Sequence, residues 1–367
     1  MRNQFPKAFL VTCVAVGALC PGALRAQTAD FVQTNLVSDI PGLATITDPQ
    51  LVNPWGSSHS TTSPFWVSNQ GTSTSTLYAV TDKTTVSKVN INPPAGDVLI
   101  PTTGSGAQGP TGQVSNSNTS SFLVGNGGDG NPAHFIFANL NGTISAWDTG
   151  TTAFIQVTTP GATYTGLAIN GAQTQLYAAN DAGSGSIDVF DSTFTPVSLA
   201  AGAFVDPSLP AGLAPFNVQD ISGFVYVTYA PAGGRANQIN APFGAGAIAI
   251  FDEQGNFIKQ LIAGDHLAAP WGIAFAPPGF GRFSFDLLVG NFSFLHSEIN
   301  AFNPRTGRHE GTIPIDTGGH PPGGLWTLEF GLGGMNGDPG TLYFSDGINS
   351  EADGLFGAIS ANGSSTP

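Results

Sequence analysis

One four-residue phrase, returning six times, constrains this chain more than any other feature of its sequence. It stands first as Asn53-Pro54-Trp55-Gly56. It recurs as Gly109-Pro110-Thr111-Gly112, Thr163-Tyr164-Thr165-Gly166, Ala214-Pro215-Phe216-Asn217, Ala269-Pro270-Trp271-Gly272 and Gly324-Leu325-Trp326-Thr327, at intervals of 51 to 56 residues. A fixed period of that size marks an array of units that cannot bury their apolar faces alone, and β-propeller blades are near this length. Six copies of one unit argue for a single large domain in a chain of 367 residues.

Each copy follows one grammar. The phrase opens a short apolar strand, and a second strand rich in aromatic and β-branched residues follows, usually ending at Asn, as in Phe65–Asn69, Phe135–Asn139 and Leu287–Asn291. A Gly-rich turn leads to a third strand such as Ser186–Asp191 or Ala247–Asp252, whose closing Asp fits a turn into a fourth, outer strand. Phe31–Val37 reads as a lone strand before the first copy, placed to complete the last blade and leave no open edge. The chain is therefore expected to be all-β, a six-bladed β-propeller closed by the N-terminal strand. Two places depart from the grammar: an extra strand-like run at Ser121–Gly125, and the insertion Pro231–Gly246, which is expected on one face of the disc, as binding insertions often are.

Only 9% of residues are charged, against 49 Gly and 27 Pro, a composition of short strands and tight turns. Residues 1–26 read as a secretory signal peptide: Arg2 and Lys7, then the apolar run Ala8–Leu19, then a cleavage site ending at Ala26. Residues 27–360 form the propeller domain in this reading, and 361–367 a flexible C-terminal tail. The expected location is outside the cytoplasm, periplasmic or extracellular, with no membrane span in the mature chain. Cys13 and Cys20 both lie in the signal, so no disulfide, thiolate metal site or cysteine nucleophile is expected after it. Removal of Arg2, Lys7 and Arg25 leaves seven basic side chains against 24 acidic ones, a net charge of about −17. Nucleic acid is excluded as a partner by that charge. A small molecule, a glycan or a protein partner is compatible with it, and the chain reads as a monomer.

The stretches NLVSDIPG, NPWG, FIFANLNGTISAWD, LPAGLAPFNVQ, APWGIAFAP, FGRFS with LLVGNF, and GLWTLEFG together resemble an uncharacterised bacterial family of exported, NHL-like β-propeller proteins, some with PEP-CTERM tails. The resemblance runs from about Phe31 to Ile359. It implies the propeller fold and export, and it carries no established activity. The end of this chain, ANGSSTP, lacks the sorting motif.

Propeller connectivity places Asn53 and its equivalents on one face with Asn69, Asn139, Asn180, Asp181, Asn291 and Asp346. Oxygen ligands converging there from several blades would suit Ca²⁺, as in calcium-dependent lactonases, whereas the plainer reading is that each satisfies a local turn. Along the innermost strands the position after the aromatic is Gly56, Gly112, Gly166, Asn217, Gly272 and Thr327. Two residues on come Ser58, Val114, Ala168, Gln219, Ala274 and Glu329. Small residues recur where six strands crowd an axis, so Asn217, Gln219 and Glu329 stand out as ligand-binding candidates, with Asn53 and His59. A carboxylate facing a narrow channel without a basic neighbour is protonated, hydrated or bound to a cation. Glu329, Asn180, Asn291, Asn69 and Asp346 are accordingly the metal candidates, with Ca²⁺ as the possible cofactor. No Gly-x-Ser-x-Gly elbow or His-Glu-x-x-His motif is present, and the six histidines are scattered, so no catalytic residue is assigned. Trp55, Trp271 and Trp326 share one repeat position and are read as packing between adjacent blades; Trp66 and Trp147 are read as core. The function expected is a binding or interaction module working through its axial face, with a Ca²⁺-dependent lactonase-like hydrolase as the alternative.

Overall fold

A computed structural model describes residues 25–27, 30–91, 96–103 and 108–363. Six sheets follow one another along the chain, antiparallel except where the short strand Ile46–Thr47 pairs parallel with Phe31–Ser38. Blade 1 holds Pro54–Ser58, Phe65–Asn69, Thr74–Thr81 and Thr85–Val89. Blade 2 holds Pro110–Ser115, Phe135–Asn139, Thr143–Trp147 and Phe154–Thr158, and blade 3 only Tyr164–Ile169, Gln175–Asn180 and Ser186–Asp191. Blade 4 runs Leu213–Ile221, Phe224–Pro231, Ala247–Asp252 and Phe257–Ala263, and blade 5 Pro270–Phe275, Leu287–Asn291, Glu298–Phe302 and His309–Pro314. In blade 6, Leu325–Phe330, Thr341–Asp346 and Leu355–Ala361 are completed by the N-terminal strand Phe31–Ser38, antiparallel to the last of them with Phe31 opposite Ala361. The molecule is thus a six-bladed β-propeller, closed by hydrogen bonds between the two ends of the chain.

Its apolar side chains form one layer between each pair of neighbouring blades. Trp66 and Leu77 of blade 1 meet Phe135, Phe137 and Trp147 of blade 2, for instance, and Phe65, Val67 and Tyr78 meet Tyr343 and Phe356 of blade 6. Trp66 and Trp147 are core residues, 3% and 8% exposed. Strands buried on both faces in this way explain why the second strands read as continuous apolar runs.

The repeated phrase codes for a bulge. In every blade the pairing of the innermost strand with the second shifts register at the phrase, as between Pro54 and Ser57, Pro215 and Asn217, or Pro270 and Ile273. Glycine follows because the backbone of the next innermost strand passes close by: a Cβ on Gly56 would stand 2.7 Å from the Thr111 carbonyl oxygen.

Two expectations are corrected. Ser121–Gly125 is not a strand; Leu123 makes a single bridge to Pro132, and the segment packs Phe122 and Val124 into the layer between blades 2 and 3. The turn after Asp191 leads to no outer strand in blade 3. The insertion in blade 4 carries the short helix Arg235–Ile239. As for the predicted signal peptide, residues 1–24 lie outside the described residues, whereas Arg25–Gln27 pair with Val32–Thr34.

Candidate functional site

The two ends of the central axis differ. On the upper face, where the phrases and the turns after the second strands emerge, the axis is filled by the aromatic residue of the phrase. Trp55 and Trp326 stack with centroids 3.5 Å apart, and Trp271 stands edge-on to both, 6.4 and 5.6 Å away. Phe216 closes on Trp326 at 6.0 Å, and the Trp271 indole N–H donates to the carbonyl oxygen of Thr165, two blades away. The tryptophans therefore pack on one another around the axis, not only between neighbouring blades. The blade 4 insertion lies on this face: Gln238 donates to Asp181 at 2.9 Å, and Arg235 pairs with Glu351 and covers the Phe294 ring.

The lower end holds a cavity of about 360 Å³. Glu329, Gln219, Asn217 and His59 all line it, with Ser57, Ser58, Gln113, Ser115, Asp220 and Thr327; Val114, Leu167, Ala168 and Leu328 supply apolar wall. The late halves of the innermost strands build this mouth, because each strand runs from the phrase on the upper face down past the plug. Among the described residues no lysine or arginine lines it.

Glu329 is the centre of its chemistry. One carboxylate oxygen accepts the Ser57 hydroxyl and the other lies 3.4 Å from His59 Nε2. Burial raises the Glu329 pKa above the ordinary carboxyl value, offset in part by the His59 charge and the Ser57 hydrogen bond. The carboxylate stands between hydroxyl and imidazole. A serine nucleophile needs the imidazole in that middle place, so this order does not activate Ser57. What it does offer is acceptors. Gln113 spends its amide on the carbonyls of Gly56 (2.9 Å) and Trp66 (2.6 Å), leaving its buried Oε1 without a partner, as is one oxygen of Asp220. Burial raises the Asp220 pKa as well, opposed by the Gly223 N–H and reinforced by Glu253.

The candidates fall into two groups. Asn217 faces the cavity wall, but its amide donates to the Trp271 carbonyl at 3.0 Å, bridging the innermost strands of blades 4 and 5 at a position where four of the other blades have glycine. Asn53, Asn69, Asn180, Asn291 and Asp346 do not line the cavity. Asn180 and Asn291 cap local turns: Asn180 Oδ1 accepts the N–H groups of Thr163 and Ala182, and Asn291 Oδ1 that of Ala268. Asn69 donates to Thr74 and Thr76, and Asn53 to Gln70 and Glu351. The structure thus does not bring the proposed metal ligands together with Glu329. Among the described residues no group of three or more His, Cys, Asp or Glu is placed to hold a metal ion. Ser57 and Gln113, which complete the site, share the repeat position just after the glycine. The bulge turns that position toward the axis, and simple alternation from Gly56 turns it away.

No family model matches the chain. It is similar to two uncharacterized proteins of Acanthamoeba polyphaga mimivirus: one 28% identical over 378 residues, 98% of this chain and 87% of that protein, the other 27% identical over 365 residues, 95% and 90%. Among solved structures, a chain of a nidogen/laminin complex aligns with 74% of this chain and 85% of its own, at 15% identity and a TM-score of 0.42.

Proposed function

We propose that this protein is a binding module whose lower axial cavity holds a small, hydroxyl-rich neutral molecule or a small cation-bearing one, with Glu329 as the principal acceptor. One observation carries the reading. A largely buried carboxylate faces a cavity in which further acceptors, Gln113 Oε1 and an Asp220 oxygen, have no protein partner, and among the described residues His59 is the basic side chain that lines it, with no lysine or arginine. Buried acceptors without partners favour a ligand that donates hydrogen bonds. A sugar of one ring or a primary amine suits the cavity in size and polarity. Export completes the reading: the basic start and apolar run of residues 1–26 support it, and cleavage after Ala26 would leave Phe31–Ser38 in place.

Isothermal titration with neutral monosaccharides and small primary amines tests this. At least one class should bind, and Glu329→Gln should weaken it about tenfold or more, the worth of a charge-assisted hydrogen bond. No heat from either class, or equal binding by the variant, sinks the proposal. Melting should not move with excess Ca²⁺ or EDTA; a rise with Ca²⁺ would favour the hydrolase reading instead.

A further inference from the structure

Blade 3 ends one strand short, and the place of the missing strand is a groove. Residues 192–212 contain no strand; Phe204 and Leu209 share an apolar cluster with Ile187 and Val189, but the backbone hydrogen bonds between this segment and the edge strand Ser186–Asp191 fall at the strand's C-terminal end. There the Asp191 N–H donates to Thr195 O at 2.9 Å and the Val197 N–H to Val189 O at 2.8 Å. Backbone alternation points the N–H and C=O of Ile187 outward in the same direction, beyond the reach of that pairing. A cavity of about 590 Å³ occupies the space, bordered consecutively by Ser186, Ile187, Asp188, Val189 and Phe190. A groove on one face of a strand would meet alternate residues; one along an edge meets them all.

The groove is chemically specific. Tyr229, 2% exposed, lines it with a hydroxyl that has no partner. Asp188 and Asp206 also line it, and neither carboxylate meets a cation: Asp188 accepts from Tyr164 (3.0 Å), Asn180 and Ser186, and Asp206 from Gln260 (2.7 Å) and Ser208. Among the described residues no lysine, arginine or histidine borders it. Blade 1 shows what an outer strand supplies in such a setting. Its outer strand, TVSKV at Thr85–Val89, brings Lys88 within 2.8 Å of Asp48 and 3.0 Å of Asp97, while Asp48 accepts the Tyr78 hydroxyl at 2.7 Å. Blade 3 has the tyrosine and the aspartate, Tyr164 and Asp188, without the strand or the lysine.

We propose that this groove binds an extended basic peptide segment of another protein, which adds as the fourth strand of blade 3 and sets a lysine or arginine against Asp188 and Asp206. Backbone pairing along the open edge would give affinity, and the apolar wall of Val189, Phe204 and Leu209 would receive alternate side chains.

The test uses the full chain and a peptide amide of sequence TVSKV carrying a neutral fluorophore. Saturable one-to-one binding is expected, with slowed hydrogen exchange at the Ile187 amide. The TVSEV counterpart should bind at least about tenfold more weakly, and Asp188→Asn should weaken TVSKV several-fold while Glu329→Gln leaves it unchanged. Val205→Trp, at a rim residue 56% exposed, should fill the groove and abolish binding without lowering the melting temperature. The proposal is overturned if TVSKV does not saturate, if TVSKV and TVSEV bind alike, if binding survives Val205→Trp, or if the neutral dye prodan fills the groove and the peptide cannot displace it.

Discussion

Asp346 breaks the rule that four of the other five second strands keep. Asn69, Asn139, Asn180 and Asn291 end their strands with an amide that bonds a neighbouring turn or strand, but Asp346 is fully buried and neither carboxylate oxygen has a partner. Burial alone pushes its pKa up to about 7. The folded protein therefore keeps a proton that the unfolded chain releases near pH 4, and this site's contribution to stability falls as pH rises from about 4 to 7. Asp346→Asn should stabilise the protein at pH 8 by on the order of 2–4 kcal/mol and do little at pH 4. Urea melts of both proteins at the two pH values check it; an equal shift at both would contradict the stated cause. At this scale the sequence was uneven. Glu329 was legible because a carboxylate stands where the repeat has small residues. Ser57 and Gln113 were not, because a bulge reverses the parity that alternation assumes.

Between elements, the blade 4 insertion acts as a strap across the upper face. From the helix Arg235–Ile239 it reaches Asp181 in blade 3, Phe294 in blade 5 and Glu351 in blade 6. Glu351 sits at the end of three consecutive residues with positive φ, Asn349, Ser350 and Glu351 at 53°, 59° and 70°, a conformation that costs non-glycine residues and that here aims a carboxylate inward. Burial raises the Glu351 pKa, and the Arg235 charge and hydrogen bond hold it down. Arg235→Ala leaves that carboxylate buried without its cation. The loss should be roughly 1–2 kcal/mol at pH 8 and smaller at pH 5, since the raised pKa makes Glu351 easier to neutralise as pH falls; thermal melts at the two pH values measure it. That an insertion would lie on one face was readable from the repeat. Which face was not, since that depends on Gln238 finding a partner one blade back and Arg235 one two blades on.

For the whole molecule, closure is the decisive contact. Phe31–Ser38 covers the edge of Leu355–Ala361, and Phe31 packs on Phe280 and Phe283 of blade 5 with centroids 5.2 and 5.5 Å away. A chain beginning at Asp39 should lose single-step unfolding and aggregate, because an open apolar edge remains. Size-exclusion chromatography and chemical unfolding of the truncated chain check it, and a monomer with unchanged cooperativity would contradict it. The count of blades and the means of closure were determined by the sequence alone, since a period of 51 to 56 residues and apolar runs are local properties that neighbouring blades only repeat. The tertiary structure decided what the repeat cannot state. The Pro-Trp-Gly phrase is a bulge whose tryptophans plug the upper axis, which leaves Glu329 in a cavity at the opposite mouth. The vacant strand of blade 3 likewise depends on how residues 192–212 pack. Each depends on side chains from different blades meeting in space, and a linear period holds no term for that.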